Sequence, residues 1–386
     1  MSCGGLNFDI EAFLAEYWQR KPLLIRNAIS PFSSPLPADE LAGLALEEDI
    51  ESRIIEFRGG QWQLQHGPFS AEDFQRDSPW TLLVQAVDHY IPAVAELRKL
   101  VSFLPLWRLD DVMVSYAVDG GSVGPHYDNY DVFLLQGEGE RRWQLGQFCD
   151  SGSPLLPHEE LRILADFACV EEYVLGPGDI LYVPPGIAHW GVAQGECTTF
   201  SIGFRAPRIN DMVSRWADSL LERLDPESFY SDGDIGPATR AGEIRPRDLE
   251  RVRTQVSAAI GQTIEGQAID GQAMDNHWFG TLVTEPRYDC SLDDDQLACA
   301  LDLLAEGPTL LELSPAARVA WQEEAAGTMV FCNGEAALFS NAVQGCLMAL
   351  CAAGRLEGAA LASCLAEERT AAMMVYLLQA GGIDVE

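Results

Sequence analysis

At Asp110 the hydrophobic pattern of this chain changes period. Upstream, apolar residues recur mostly at helical spacing, whereas from about 110 to 207 they alternate in short runs divided by glycine and proline. DVMVSYAV alternates strictly, YVLGPGDILYVPPGIAHWGVA and CTTFSIGFRAP supply further short strands, and HYDNYDVFLLQGEGERRWQLG reads as a hairpin around Gly137-Glu138-Gly139. Period two gives each strand one apolar face, and many short strands with tight turns close into an antiparallel barrel or jelly roll. That element constrains the rest of the chain, which must cover it or fold apart from it.

Before the barrel, IEAFLAEYWQRKPLLIRN predicts an amphipathic helix running into a strand at Pro22, and PWTLLVQAVDHYIPAVAELRKLV carries helical spacing. After Pro207, INDMVSRWADSLLERL and RPRDLERVRTQVSAAIGQTI predict two helices flanking a turn-rich SDGDIGPATRAGE. Their apolar stripes can pack on the barrel or on a second copy of the chain. From about 285 a helix, short strands (PTLLEL, RVAWQEE, TMVFC) and Ala-rich helices follow in the order of a winged-helix module. The expected class is α+β, divided into 1–207 (barrel core about 110–207), 208–284 and 285–386.

Charge excludes several partners. The chain has 25 Lys+Arg against 59 Asp+Glu, a formal charge of −34. Residues 285–386 hold 4 basic and 16 acidic residues, so DNA binding by the winged-helix-like part is not expected. No apolar run is long enough to span a membrane, and no basic stretch leads into an apolar one at the N-terminus. The 10 cysteines lack any CxxC spacing, which fits reduced thiols in a cytoplasmic protein.

Gly124-Pro125-His126-Tyr127-Asp128 is the segment richest in chemistry. Residues i and i+2 of a strand share a face, so His126 and Asp128 can offer a nitrogen and an oxygen to one ion. His189 follows the sharp Pro184-Pro185-Gly186 turn. Two histidines and a carboxylate form the facial triad of non-haem iron(II) oxygenases, which leaves coordination positions for a chelating co-substrate and dioxygen. A polar sheet edge would also give an HxD pair. The chain has 6 histidines, and both of these fall within the predicted barrel. Arg141 shares a strand face with Trp143 and Leu145; if that face is inward, its guanidinium needs an anionic partner and suits a carboxylate, a structural salt bridge or an exposed edge position being the alternative. Ser115, on the parity of Met113 and Ala117, is a candidate second inward donor, or else a satisfied core hydroxyl.

These segments, with SIGFRAP, FLAEYWQRKPLLIRN, DELAGLALEEDIESR, HGPF and WTLLVQAV, resemble the bacterial ribosomal oxygenases. These are JmjC-type 2-oxoglutarate oxygenases of the cupin superfamily, and the likeness is nearest to members that hydroxylate an arginine of large-subunit ribosomal protein sixteen. The resemblance extends over nearly the whole chain, more loosely in the C-terminal part. It implies a double-stranded β-helix core, a helical dimerisation region and an acidic winged-helix domain. It implies iron(II) on His126, Asp128 and His189, with 2-oxoglutarate and dioxygen as co-substrates and Arg141 and Ser115 at the distal carboxylate. The reaction it implies is hydroxylation of an arginine β-carbon in a basic ribosomal protein, by a homodimer. Relatives often carry Asn where this chain has Thr199, so no role is assigned there.

Two other readings share parts of the pattern: a hydroxylase of histidine or of a small molecule, and a non-catalytic cupin-fold binding module. The full ligand set counts against the second. Asp119, Asp131 and Glu138 are candidates for a substrate guanidinium, though each suits a solvated turn or strand edge. Gly120 to Gly124 is a turn without the Lys-Ser/Thr of a phosphate loop and a candidate entrance lining. His66, His89, His158 and His277 lack a second ligand at metal spacing. Trp143, Trp190, Phe133 and Tyr130 are expected in the core, and Asp293-Asp294-Asp295 at a helix start.

Overall fold

A strand buried on both faces loses its alternation and reads as a continuous apolar run. Several strands of this chain do so in the computed structural model, which describes residues 8–236, 244–264 and 277–386. The chain divides into two units: residues 1–206 with 313–316 and 350–354, and the remainder.

The first unit begins with α1 (Ile10–Glu16), capped by the Asp9 carboxylate on the Ala12 N–H, and β1 (Leu23–Ile25). Then come α2 (Ala38–Leu44), β2 (Ser52–Arg58), β3 (Gln61–His66), β4 (Trp80–Val84) and α3 (Pro92–Ala95). The barrel strands are β5 (Leu109–Ala117), β6 (Val132–Gln136), β7 (Glu140–Phe148), β8 (Glu171–Leu175), β9 (Ile180–Val183), β10 (Ile187–Gln194) and β11 (Cys197–Phe204). They form two antiparallel sheets, an eight-stranded one ordered β1-β9-β6-β11-β5-β4-β2-β3 and a three-stranded one ordered β10-β7-β8. This is a jelly roll with an N-terminal extension of its larger sheet.

Two clusters occupy the space between the sheets. Val132 and Leu134 of β6 and Leu181 and Val183 of β9 meet Trp143, Leu145 and Leu175 of the smaller sheet. Ala117, Ala193 and Cys197 meet nearby. The alternate residues, Phe133, Leu135, Ile180 and Tyr182, pack outward with Phe13, Leu36 and Leu41 in the largest core cluster. Burial on both faces accounts for the all-apolar FLL and ILYV.

The same effect overturns one expectation. Trp80 to Val84 was expected to be helical but forms β4, every residue buried, between β2 and β5. A short apolar run cannot distinguish a buried strand from a helix by period. Helical turns begin only afterwards, at Val87–His89, α3 and Glu96–Val101. A second correction concerns Gly137 to Gly139. It joins β6 to β7 but makes no hairpin, because β6 pairs with β11 and β9 while β7 pairs with β10 and β8. The turn crosses between sheets. A Cβ at Gly139, where φ is +63°, would collide with the Glu196 carbonyl.

The second unit holds α4 (Ile209–Leu221), α5 (Pro246–Ile264), α6 (His277–Thr284) and α7 (Asp294–Glu306). The turn-rich stretch expected between α4 and α5 lies outside the described residues from 237 to 243. Asp293 caps α7 through a capping box with Gln296, the expected use of the acidic triplet. Next come β12 (Leu310–Leu313), β13 (Val319–Glu324), β14 (Gly327–Cys332) and β15 (Glu335–Phe339), then α8 (Gln344–Ala353) and β16 (Arg355–Glu357). Helices α9 (Gly358–Leu365) and α10 (Glu368–Gln379) and strand β17 (Ile383–Val385) complete the chain. The strands form two small sheets, β13-β14-β15 and β16-β12-β17. No described helix is long and apolar enough to cross a membrane.

Candidate metal centre

The ligand segment leaves β5 through a glycine turn with φ of +74° at Gly120 and +83° at Gly124. A Cβ on Gly124 would lie 2.8 Å from Ile163 and 2.9 Å from Trp62, so only glycine fits this approach. Ser122 accepts from the Gly124 N–H and from the Trp190 indole at 3.0 and 2.9 Å, fixing the turn beside β10. His126 and His189 then exchange backbone hydrogen bonds of 3.1 and 2.8 Å, and the Gly186 N–H donates to the Asp128 carbonyl at 2.8 Å. The Pro-Pro-Gly turn, with φ of +79° at Gly186, thus brings the start of β10 against the HxD segment.

One nitrogen, oxygen or carboxylate atom from each of His126, Asp128 and His189 lies within 4.8 Å of the others. Among the described residues no other three His, Cys, Asp or Glu side chains meet in this way. His126 Nδ1 is 2.9 Å from the Gly124 carbonyl, and His189 Nδ1 is 3.0 Å from that of Ile187. A carbonyl only accepts, so the hydrogen-bond pattern assigns the proton to each Nδ1 and leaves each Nε2 with its lone pair, that of His189 3.6 Å from the Asp128 carboxylate. His189 is 2% exposed, and burial, with the neighbouring His126 adding to it, pushes its pKa down to about 4. It is therefore neutral near pH 7, the form that binds a cation. The Tyr130 hydroxyl lies against Asp128, whose charge pushes the phenol well up.

Arg141 lies farther along the same ladder, opposite Ala193 on β10 and Leu175 on β8. It is 3% exposed, its guanidinium carbon is 5.8 Å from the Trp143 ring centroid, and its Nε and one terminal nitrogen have no hydrogen-bond partner among the described residues. A buried cation with idle donors suits an incoming carboxylate. Ser115, 4% exposed, shares the inner face of β5 with Ala117 and stands opposite Thr199. Three possible metal ligands at one end and a buried fork at the other would suit an anion that also chelates.

Other candidates go elsewhere. Asp131 is fully buried, accepting from Tyr182, Gln19 and Arg108 at 2.7, 3.0 and 3.2 Å, and so is a structural hub and no solvated edge. Asp119 holds the Gly195 N–H at 2.8 Å in an exposed turn, and Glu138 is exposed in the turn between sheets. Tyr130 is 42% exposed, against the expectation of a core ring, because it stands on the ligand loop. Trp143 and Phe133 are core, and Trp190 is half-buried. His66 pairs with Glu160 and His277 with Glu324, at 2.8 and 2.7 Å, while His158 accepts two backbone N–H groups.

Sequence reasoning missed Gln136 and Thr199. Gln136 is fully buried, donates to the Thr198 and Glu138 carbonyls at 3.0 Å and accepts from the Thr199 hydroxyl at 3.3 Å. Its signal was a lone amide closing the apolar run VFLLQ.

Comparison with known proteins shows the family. Residues 96–212 match the JmjC domain family, 272–383 the ROXA-like winged helix and 170–268 the AraC-like ligand binding domain. The chain is 37% identical over 280 residues to ribosomal protein uL16 3-hydroxylase of Escherichia coli (strain K12), covering 72% of each. It is 40% identical over 228 residues to a probable ribosomal oxygenase of Haemophilus influenzae, covering 58% of this chain and 56% of that protein. The X-ray structure of E. coli ycfD superposes with a TM-score of 0.82 at 33% identity, and 99% of each chain is covered. The E. coli ribosomal oxygenase YcfD solved with cobalt and 2-oxoglutarate gives 0.79 at 32% identity with the same coverage.

Proposed function

This chain belongs to the JmjC-type ribosomal oxygenases, and we propose on that premise that it hydroxylates the β-carbon of an arginine in a large-subunit ribosomal protein. The reaction uses iron(II), 2-oxoglutarate and dioxygen. The observation that carries the reading is the pairing, across one antiparallel ladder, of a three-ligand cluster with a buried guanidinium. His189 stands opposite Leu145 and Ala193 opposite Arg141, so the two sites lie four residues, about 13 Å, apart along the strands.

His126, Asp128 and His189 would hold iron(II), and Arg141 with Ser115 the distal carboxylate of 2-oxoglutarate. Bound iron supplies the oxygen activation and redox chemistry. The protein's own groups orient and exclude. The Nδ1 hydrogen bonds fix both imidazoles, the neutral state of His189 keeps its Nε2 available, and Trp143 and Leu145 dry the space between the two sites.

On the same reading, residues 1–207 form the catalytic domain, 208–284 a dimerisation region and 285–386 an acidic winged-helix domain of a cytoplasmic homodimer. Support for dimerisation comes from Val213, Leu249, Val252 and Val256 of α4 and α5, which expose 44–54% of their apolar surface in a single chain. Negative charge in every region favours a basic protein substrate and disfavours DNA.

Incubation with iron(II), 2-oxoglutarate and basic ribosomal peptides, followed by mass spectrometry, should place one added oxygen on arginine. Oxygen on histidine would replace the substrate assignment. Asp128→Ala should abolish succinate release, and undiminished release would refute the ligand set.

A further inference from the structure

Of the ligand segment's three central residues, His126 and Asp128 turn to the metal centre and Tyr127 turns away. Tyr127 is 8% exposed and packs with Cys149, Leu164 and Ala188, backed by Leu155 and Phe167. Except for Ala188, these residues come from the segment between β7 and β8. That segment, 149–170, holds no regular helix or strand; its sole pairing is an isolated bridge of Leu155 to Leu164. Structureless loops of this length inside compact domains are uncommon and usually serve function.

Its contacts concentrate on the ligand segment. The Leu164 N–H donates to the Pro125 carbonyl at 2.8 Å, and Ile163 packs where a Cβ on Gly124 would stand. The Tyr127 hydroxyl donates to the Asp150 carbonyl at 2.6 Å and accepts from Arg162 at 3.4 Å. That carbonyl belongs to a fixed turn: the Asp150 carboxylate accepts from the Gly152 N–H at 2.8 Å, and Ser153 accepts from the Asp150 N–H at 3.0 Å. The Cys149 N–H donates to the Gly186 carbonyl at 2.7 Å, so the same segment also supports the turn that delivers His189. The HxD segment has β10 along one edge and this loop along the other.

We propose that the 149–170 segment is a floor that sets the spacing of His126 and Asp128, and that Tyr127 is its positioning residue. The inference rests on the metal-site reading above. It adds a determinant outside the ligands: the phenol anchors the peptide between two ligands to a rigid turn, so losing it lets both side chains drift from a common centre. Removing a group that orients metal ligands typically weakens affinity by about 10–100-fold. Tyr127 acts through the backbone, which places its effect near the lower end, about tenfold.

The experiment is cobalt(II) titration of the full-length protein, read by calorimetry and by the visible absorption of the bound ion. Tyr127→Phe should raise the Kd about tenfold and alter the spectrum. Phe69→Leu, in the outer core cluster, should keep both at wild-type values while lowering thermal stability. Asp150→Ala, at an exposed turn, keeps the phenol but removes the carboxylate that holds the Gly152 N–H, loosening the turn that carries the carbonyl, and should weaken cobalt in the same sense by less, so it tests the idea even where Tyr127→Phe folds poorly. Wild-type affinity in either floor variant, or equal loss in Phe69→Leu, overturns the inference. Failure of the unmodified protein to bind cobalt overturns the metal reading itself and this inference with it.

Discussion

Arg141→Met should make the ligand-free protein more stable while removing its response to 2-oxoglutarate. The native guanidinium is 3% exposed, with two nitrogens that lack partners among the described residues. An unsatisfied buried donor costs about 1–3 kcal/mol, and more for a charged group. The Trp143 ring at 5.8 Å returns about 0.5–2 kcal/mol. Methionine keeps most of the stem volume and removes the charge, and replacing buried ionic groups with apolar ones stabilises by about 1–4 kcal/mol in favourable cases. The assay is urea unfolding of both proteins without ligand, then with metal and 2-oxoglutarate under anaerobic conditions. At a hundred times Kd the wild type should gain about 2.7 kcal/mol from ligand, and the variant almost nothing. Destabilisation of the variant by about 3–5 kcal/mol would show a guanidinium already compensated within the protein, and would remove the physical ground for placing a substrate carboxylate there.

Three further outcomes are expected. The side chain of Asp88 is fully buried, and burial pushes its carboxyl up to about 6, opposed in part by Arg98 at 3.5 Å. An acid raised on folding stabilises fully below its unfolded pKa of about 4, and that contribution, about 3 kcal/mol, is lost as pH rises through about 6. Asp88→Asn should flatten the stability curve across this window in urea unfolding; a wild-type slope would refute the assignment. Asp131→Ala strips the acceptor from Tyr182, Gln19 and Arg108 and should cost about 3–5 kcal/mol in the same assay, because Arg108, 16% exposed, loses its counter-charge. If the charge of −34 steers a basic substrate, kcat/KM should fall as salt rises. Unchanged kcat/KM alongside rising stability would instead point to adaptation to salt.

The metal centre was legible because its information is local. Alternation along the backbone puts the two HxD ligands on one face even though the segment lies outside the strands, with only an isolated bridge at His126, and the Pro-Pro-Gly turn before His189 announces a chain that doubles back. The face of Arg141 was legible for the same reason, since parity with Trp143 and Leu145 follows from backbone geometry. Partnership between strands is different. Period two says that β6 and β7 are strands and which residues share a face, yet it cannot say that the short turn between them changes sheet; pairing with β9, β10 and β11 depends on residues up to about seventy positions away. The reading of Trp80 to Val84 failed where alternation vanishes, in a strand buried on both faces. Tyr127 lay hidden for a third reason: its role depends on a loop without periodicity, whose contacts come from single hydrogen bonds to carbonyls that carry no sequence signature. A motif can therefore identify ligands while leaving unread the parts that hold them, and at this site those parts are the Asp150 carbonyl, the Leu164 N–H and the phenol between the two ligands.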